Sequence, residues 1–595
     1  MLLGVVLGAR KVNERKMARS KTNHTYCADF ETTSESQYRR DSFTKVYLWK
    51  IMGVDTPLDE IGVELDDFIK LLGKELDTGD VIYFHNLSFD GEFILWYLLQ
   101  NGYTYNDELS NNNFNSIIDE TGSIYMIRIG INDKIIEFRC SYKLFPKSIK
   151  EIGEMVGIEK LNETHNYDEL KDYKSIDDIT EEEKMYITND VRIMVELIRY
   201  LKAKNVKGIT MSSSAYKNWL KDKYTLCKNN MKKDTNEEIV EIVKKSYRGG
   251  ITKVNPKYAG VEFNDVISFD VNSLYPSVMY DNPMPIGSGK IYKTIEEGRR
   301  DRRYLFIVVV FVQYAKVRTG QHAFIGNQSG FSYARKYSYD DVIQNKMLYL
   351  WLDEFNLFKV VYEGQYTIEK CVGWKKANNV FKDYIDRWYE VKKNAKNETE
   401  RSLAKLMLNS LYGKFGMNDN RITKIPIAIG EKIIYKTIDN NTNYYYKEVA
   451  SYITSKARCK LATFMNRCYD NFLYCDTDSV YYIGHEVPEL FKDVVDDKKL
   501  GYWKYEGHYT RFKALKAKCY IKQLDNGEIV RRVAGCPKEC ANLINFDNFQ
   551  SGLKLEQAKR CRKKVEGGII ISHTDFTINV WWNISINWLS NCYII

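Results

Sequence analysis

Two stretches of this chain run apolar and then deliver alternating acids, and they limit its possible folds more than any other feature. Tyr26-Cys27-Ala28 leads into Asp29-Phe30-Glu31, and Tyr474-Cys475 leads into Asp476-Thr477-Asp478. In a strand, residues i and i+2 share a face, so each pair of carboxylates can be presented to one place. Taken alone, Asp29 is compatible with a solvated surface acid and Asp-Thr-Asp with a polar hairpin tip. The order of the remaining acids argues otherwise. Tyr83-Phe84-His85-Asn86-Leu87-Ser88-Phe89-Asp90 ends a strand with a third carboxylate. Tyr186-Ile187-Thr188-Asn189-Asp190 adds a fourth, with Tyr186 and Asp190 on one helix face. Four converging acids repel one another unless cations join them, and two Mg²⁺ ions would draw them together. With a tyrosine hydroxyl to orient water, such a site suits phosphodiester hydrolysis.

The second constellation lies further along. Val266 to Val271 reads as an apolar strand that delivers Asp270, followed by Asn272-Ser273-Leu274-Tyr275-Pro276-Ser277. Asp270 and Asp478 are expected to share two metals, with Asp476 as a supporting third acid. One metal would activate a primer hydroxyl and the other neutralise a triphosphate. Between them, Lys405, Asn409 and Tyr412 recur at helical spacing, one stripe able to hold phosphates and stack beside a base. Lys392 adds charge nearby.

Composition bounds the rest. The chain has 595 residues, with 88 Lys and Arg against 79 Asp and Glu, a formal charge of +9. At roughly 150 residues per domain this predicts about four units. Hydrophobic residues make up 44% and charged residues 28%, which excludes a disordered chain or a fibrous repeat. Aromatics reach 14%, and rings with a positive excess suit a nucleic-acid partner. No apolar run is long enough for a transmembrane helix, and the charges after MLLGVVLG stand on the wrong side for a signal peptide. Residues 1–16 read as an extension, with Met17 an equally sensible start. Twelve scattered cysteines fit reduced thiols. Cys536, Cys540, Cys561 and His573 have zinc-ligand chemistry at a spacing that matches no common zinc module.

The first third mixes strand runs (Tyr26 to Phe30, Val81 to Phe84, Ile135 to Phe138) with a helix from Tyr186 to Leu201, predicting an α/β or α+β unit that ends near residue 210. Lys221 to Glu238 reads as a connector or surface loop. A β-rich region runs to residue 370, then a long helical pattern from Val380 to Phe415. Asn418 to Tyr446 reads as a hairpin, followed by strands near Phe472 to Ile483 and Lys518 to Gln523.

Together these residues resemble a family B DNA polymerase with a proofreading exonuclease, closest to the protein-primed polymerases of small tailed phages with linear genomes. The resemblance covers about residues 24 to 579. It rests on CADFETT, YFHNLSFDGEF and YITND, then on DVNSLYPS, LAKLMLNSLYGKFG, YCDTDS and Lys518-Cys519-Tyr520, with Tyr247-Arg248-Gly249-Gly250 as the connector. It implies that Asp29, Glu31, Asp90 and Asp190 hold the exonuclease metals, that Tyr186 orients water, and that Lys160 is an auxiliary cation. Thr32, Tyr83, His85, Asn86, Phe89, Phe93, Ser141 and Tyr167 would grip a frayed single-stranded 3′ end. His85 reads equally as a core histidine, and Tyr142 stands where the family usually has Leu.

In the polymerase half the resemblance makes Asp270 and Asp478 the essential metal ligands, assisted by the Val271 carbonyl. Tyr275 would exclude a 2′-hydroxyl, Lys405 and Lys392 would meet the triphosphate, Tyr412 would stack near the nascent pair, and Asn409 would contact the nucleotide. Lys518 and Tyr520 would hold the primer terminus, with Tyr247, Gly249 and Gly250 as DNA contacts. The implied cofactor is Mg²⁺, two ions per site, with Mn²⁺ as an alternative. The implied partners are primer-template and single-stranded DNA, deoxynucleoside triphosphates and a terminal protein as primer. The implied setting is a bacterial host's cytoplasm, without a membrane, as a monomer or a heterodimer with the terminal protein.

The expected fold is α+β and multidomain: a right hand of palm, fingers and thumb joined to an RNase H-like exonuclease. The expected divisions are an extension (1–16), exonuclease (17–210), palm (211–281), a first insertion (282–379), fingers (380–416), a second insertion (417–447), palm (448–545), then thumb and tail (546–595). The insertions are expected to contact the terminal protein and encircle DNA, giving processivity and strand displacement. Rival readings are a family B polymerase restricted to nucleic-acid primers, and a catalytically inactive DNA-binding remnant, against which the intact acids argue. The Trp-rich end after Val580 has no functional account.

Overall fold

A computed structural model describes residues 23–33, 44–162, 173–326, 338–418, 420–430, 432–441 and 445–579. Tyr167, the extension 1–16 and the tail after Asn579 lie outside them. Two eight-stranded sheets dominate. In the N-terminal sheet, β1 (Thr25–Thr32) runs between β2 (Val46–Gly53), antiparallel to it, and β3 (Val81–Phe84), parallel to it. The strand β4 (Lys134–Cys140) continues the sheet beyond β3. Strand β1 is buried along most of its length, with Glu31 buried and Asp29 half-buried at the one opening on it. Helix α1 (Asp90–Gln100) follows β3, and α2 (Glu181–Ala203) packs against β1 and β2 behind a Thr180–Glu183 capping box.

The second sheet is mixed in origin. Its centre is β6 (Val266–Val271), flanked by β10 (Ser479–Ile483) and β11 (Trp503–Lys516). On the β10 side follow β9 (Phe472–Asp476) and then β5 (Thr252–Val254). On the β11 side lies β12 (Cys519–Leu524). The strands expected between Phe472 and Ile483 are these two, β9 and β10, folded at the Asp-Thr-Asp tip. Thr477 sits there at φ 59°, and Asp476 pairs across with Ser479.

The helical pattern from Val380 to Phe415 is broken in two, α5 (Lys382–Lys393) and α6 (Glu398–Phe415). Asn397 explains the break, because its side chain caps α6 by accepting from the Glu400 amide, an alternative to continuing the helix. Lys221 to Glu238 is likewise not mainly loop. Its first half completes a helix, α3 (Met211–Asn230), and a further short one, Glu237–Ser246, begins near its end. Buried Trp219 anchors the first of these, so the polar run is the exposed face of a packed helix.

The β-rich region holds a four-stranded sheet (284–292, 305–317, 342–351 and 362–377), interrupted by the helix α4 (Leu352–Val361). The expected hairpin is present as β7 (Asn420–Ile429) and β8 (Lys432–Asn441). Helix α7 (Lys447–Arg467) is buried along most of its length and links the four-stranded sheet to the second large sheet. A terminal hairpin, β13 (Lys554–Val565) and β14 (Gly568–Thr577), closes the described chain. Ile433 of β8 and Ile569 of β14 both enter the core of the N-terminal domain. Both hairpins therefore dock on that domain, far from it in sequence.

Candidate active sites

In the N-terminal domain four acids come from three elements, with Asp29 close enough to both Asp90 and Asp190 for their charges to interact and Glu31 near Tyr186. Asp29 and Glu31 come from β1, Asp90 opens α1, and Asp190 lies on α2. Burial raises the Asp29 carboxyl, and the Asp190 charge raises it further. Burial likewise raises Asp90, with Asp29 adding to it. These shifts are the sign of carboxylates crowded in a dry place. The N-terminus of α1 offsets part of the strain, since helix dipoles favour anions there. Lys160 completes the group: its ammonium lies 2.5 Å from Asp190 Oδ2 and 3.1 Å from the Tyr186 hydroxyl. Burial pushes that phenol up to about 12, so it stays protonated and able to donate.

Around this cluster the residues expected to grip a single strand divide. His85, Asn86 and Phe89 are partly exposed. Tyr83, Ser141, Thr32 and Phe93 are not. Ser141 is fully buried, its hydroxyl donating to the Phe84 carbonyl and lying 3.0 Å from His85 Nδ1. Phe93, at 1% exposure, lies against Phe89 and the terminal-hairpin residue Gly568, so its ring has no face free for a base. Burial of much of the ring pushes the His85 imidazole down to about 4, so it is neutral. Tyr142 is 41% exposed and packs edge-on against His85.

The second site lies on the second sheet. Asp270 sits opposite Ser479 in register, and the Val271 amide donates to the Asp478 carbonyl at 2.8 Å. Burial raises the Asp270 carboxyl, and Asp478 raises it further; burial raises Asp478 too. Lys405 attracts both. A cleft of about 790 Å³ opens above them, lined by Lys392, Arg401, Lys405, Asn409 and Lys504 among others. Breaking the helical run at Asn397 is what brings Lys392, near the end of α5, beside Lys405 on α6. Lys392 also donates to the Ser273 hydroxyl at 3.1 Å. Tyr275 and Tyr412 meet with ring centroids 4.1 Å apart at the edge of this group.

Asp476 is held away from the cleft. Lys518 donates to both its oxygens at 2.8 Å, and the Thr252 and Thr477 hydroxyls reach Oδ1 at 2.9 and 3.0 Å. The Lys518 ammonium is thus committed to a carboxylate, while Tyr520 packs among Tyr474, Tyr481 and Phe512. The Tyr-Arg-Gly-Gly connector supports the same turn. The Thr477 amide donates to the Ile251 carbonyl at 2.7 Å, and a Cβ at Gly250 would stand 2.9 Å from the Thr477 methyl. A Cβ at Gly249 would meet nothing within 4 Å. Tyr247 is packed under Gly416, at the end of α6.

Sequence reasoning missed what lies beneath. Glu354 of α4 is fully buried between Arg458 of α7 (2.9 Å) and Arg248 (2.8 Å), and Arg458 also donates to the Arg248 and Gly249 carbonyls. Nothing local signals this pairing. Arg401, four residues before Lys405 on one helix face, was legible from spacing alone. The suspected zinc set does not assemble. Cys561 is buried against Thr574, His573 is exposed, and no group of three metal-ligating side chains is present among the described residues. That last fact is compatible with Mg²⁺ at either acid site, because this ion takes one or two carboxylates plus water and phosphate rather than a full protein cage.

Residues 154–496, more than half of the chain, match the family model for DNA polymerase type B, organellar and viral. The chain belongs to that family. The DNA polymerase of Bacillus phage Nf is 31% identical to it over 583 residues, covering 93% of this chain and 99% of the relative. That of Bacillus phage phi29 is also 31% identical, over 93% and 98%. A solved phi29 DNA polymerase, complexed with primer-template DNA and incoming nucleotide, superposes with a TM-score of 0.84 at 28% identity, covering 94% of this polymerase and all of that one. The expected family, the protein-primed type B enzymes of phages, is the one found, and the chain is a DNA-directed DNA polymerase with the multidomain fold of that family. Among the described residues no helix is long and apolar enough to cross a membrane.

Proposed function

We propose that this polymerase begins on a hydroxyl of a terminal protein, extends DNA with strand displacement, and trims mismatched 3′ ends at its N-terminal acid cluster. The observation that carries the reading is the meeting of Asp270 and Asp478 under a cleft lined with Lys392, Arg401 and Lys405. Two half-buried carboxylates facing several cations can take both a divalent ion and a triphosphate. Mg²⁺ or Mn²⁺, held by Asp270, Asp478 and the Val271 carbonyl, would supply Lewis-acid activation there, and Asp29, Glu31, Asp90 and Asp190 would hold the ions for trimming. Lys392, Arg401 and Lys405 neutralise the triphosphate as a primer 3′-hydroxyl attacks the α-phosphate in line and pyrophosphate leaves. Tyr275, packed on Tyr412, fills the space where a ribose 2′-hydroxyl would go. Asp476 keeps Lys518 and the turn in position.

At the other site Tyr186 and Lys160 orient water toward the terminal phosphodiester, and His85, Asn86 and Phe89 receive the frayed end. The substrates are primer-template DNA, single-stranded DNA and deoxynucleoside triphosphates, met in the cytoplasm of a bacterial host. The polymerase works alone or paired with its terminal protein.

Two variants test the division of labour. Asp478→Ala should lose primer extension by about a thousandfold or more, as expected when a group essential to charge stabilisation is removed, yet still trim a single strand. Asp29→Ala should do the reverse. Extension by Asp478→Ala at the wild-type rate would show the metal assignment to be wrong. Labelled nucleotide joined to a cognate terminal protein supports protein priming; its failure with a polymerase active on DNA primers would favour a nucleic-acid-primed enzyme.

A further inference from the structure

The terminal hairpin is built into the N-terminal acid site by one cation. Arg562 on β13 donates to the Ser88 carbonyl at 3.2 Å and to Asn86 Oδ1 at 3.4 Å, partners 474 and 476 residues away in sequence. Its guanidinium is close enough to attract the Asp90 carboxylate. The segment it grips is a tight turn. Asn86 is left-handed at φ 64°, the Phe89 amide closes the turn on the Asn86 carbonyl at 2.8 Å, and α1 starts at once with Asp90. From the other side Ser88 is tied down, its hydroxyl accepting from the Ile124 amide at 2.9 Å. Arg562 therefore holds the free side of the loop that carries Asp90 into the cluster.

Neighbouring contacts keep Arg562 there. Lys564, two residues on and so on the same face of β13, lies 3.2 Å from Glu92 Oε2 and 3.4 Å above the Tyr435 ring of β8. Gly568 abuts Phe93, the Thr44 amide donates to the Glu566 carbonyl at 3.0 Å, and Ile569 is buried in the N-terminal core. The Arg562 Nε is buried with no hydrogen-bond partner among the described residues. A half-satisfied buried cation costs stability, so packing alone is a poor reason for an arginine at this point.

We propose that Arg562 is a positioning residue for 3′-end trimming: it fixes the Asn86–Asp90 turn, so the N-terminal site is complete only while the terminal hairpin is docked. The inference rests on reading the acid cluster as an exonuclease. It adds that a residue near the far end of the chain belongs to that site, and that trimming depends on the hairpin's position.

The test uses the full chain, Mg²⁺, a 5′-labelled single-stranded oligonucleotide for trimming and a primer-template for extension. Arg562→Ala should lower the trimming kcat by about tenfold with KM little changed, since a misoriented catalytic turn costs rate more than binding. Extension should fall much less. Arg562→Lys should recover only part of the loss, because an ammonium cannot span two acceptors as the guanidinium fork does. Added guanidinium should raise the rate of Arg562→Ala and leave Arg562→Lys unchanged. The proposal is overturned if Arg562→Ala trims at the wild-type rate, if trimming and extension fall in equal proportion, or if the loss lies in KM alone. Asp29→Ala separates the two levels. If it trims like the wild type, the exonuclease reading itself fails; if it is inactive while Arg562→Ala is normal, only the role of Arg562 fails.

Discussion

At the scale of single residues, the same chemical group does opposite things according to what surrounds it. Asp478 faces an open cleft with cations across it and stays available; Asp476, two positions earlier, is saturated by Lys518, Thr252 and Thr477. His85 is held neutral by burial, whereas the surroundings of His508 favour its charged form. The His508 imidazole lies 2.7 Å from Asp525 and 3.2 Å from Asp265, and the hydrogen bond to Asp525, with that to Asp265, raises its pKa above the ordinary value. A group raised on folding stabilises fully below its unfolded pKa, near 6.5, and loses that contribution as pH climbs through the raised folded value. Urea unfolding at pH 6 and pH 8.5 should therefore show a loss in the wild type of about 0.5 kcal/mol, typical of surface ion pairs, that His508→Asn lacks. An identical pH response in both proteins would remove His508 as the source.

At the scale of elements, the polymerase site depends on a support it does not display. Glu354 neutralises Arg248 and Arg458, and Arg458 in turn holds the connector that leads directly into Ile251, whose carbonyl accepts from the Thr477 amide. Glu354→Gln leaves two buried guanidinium groups facing each other and should cost about 3–5 kcal/mol. The denaturant midpoint should drop, and primer extension should fall more than trimming, because the Asp-Thr-Asp turn loosens first. Equal activity losses would mean that the triad supports the whole chain rather than this turn. The triad also marks the limit of what the sequence shows. The acid motifs were readable because i,i+2 in a strand and i,i+4 in a helix are local facts. So were β6 and the β7–β8 hairpin, whose composition matches their geometry. The break at Asn397 was also local, but the Asn cap was hidden inside a continuous helical pattern. Glu354 and Arg458 are 104 residues apart, and no periodicity links them. Phe93 shows the converse. Its motif marks it for DNA, but the neighbour that covers it, Gly568, comes from the other end of the chain.

At the scale of the whole molecule, two hairpins reach across to the N-terminal domain and meet there. Thr423 of β7 bridges to Asp119, Ile433 of β8 enters the N-terminal core, and Tyr435 lies under Lys564 of the terminal hairpin. The chain thereby ties the N-terminal acid cluster to one hairpin that lies in sequence between the α6 cations and Asp478, and to another that follows the polymerase cleft. Under the proposed function such a tie would keep a DNA end close to both sites after it leaves one of them, since a tethered partner rebinds at high effective concentration. Replacing residues 420–441 with a short Gly-Ser linker removes the tie at one corner while sparing Asp270, Asp478 and the α5–α6 cations. Addition of a single nucleotide to a short primer should then persist, but products made in one binding event, measured with excess trap DNA, should shorten by about tenfold, the effect of ~1.4 kcal/mol in retention. Products of undiminished length would mean that the β7–β8 hairpin does not retain DNA, and that the contact at Tyr435 serves only to hold the terminal hairpin in place.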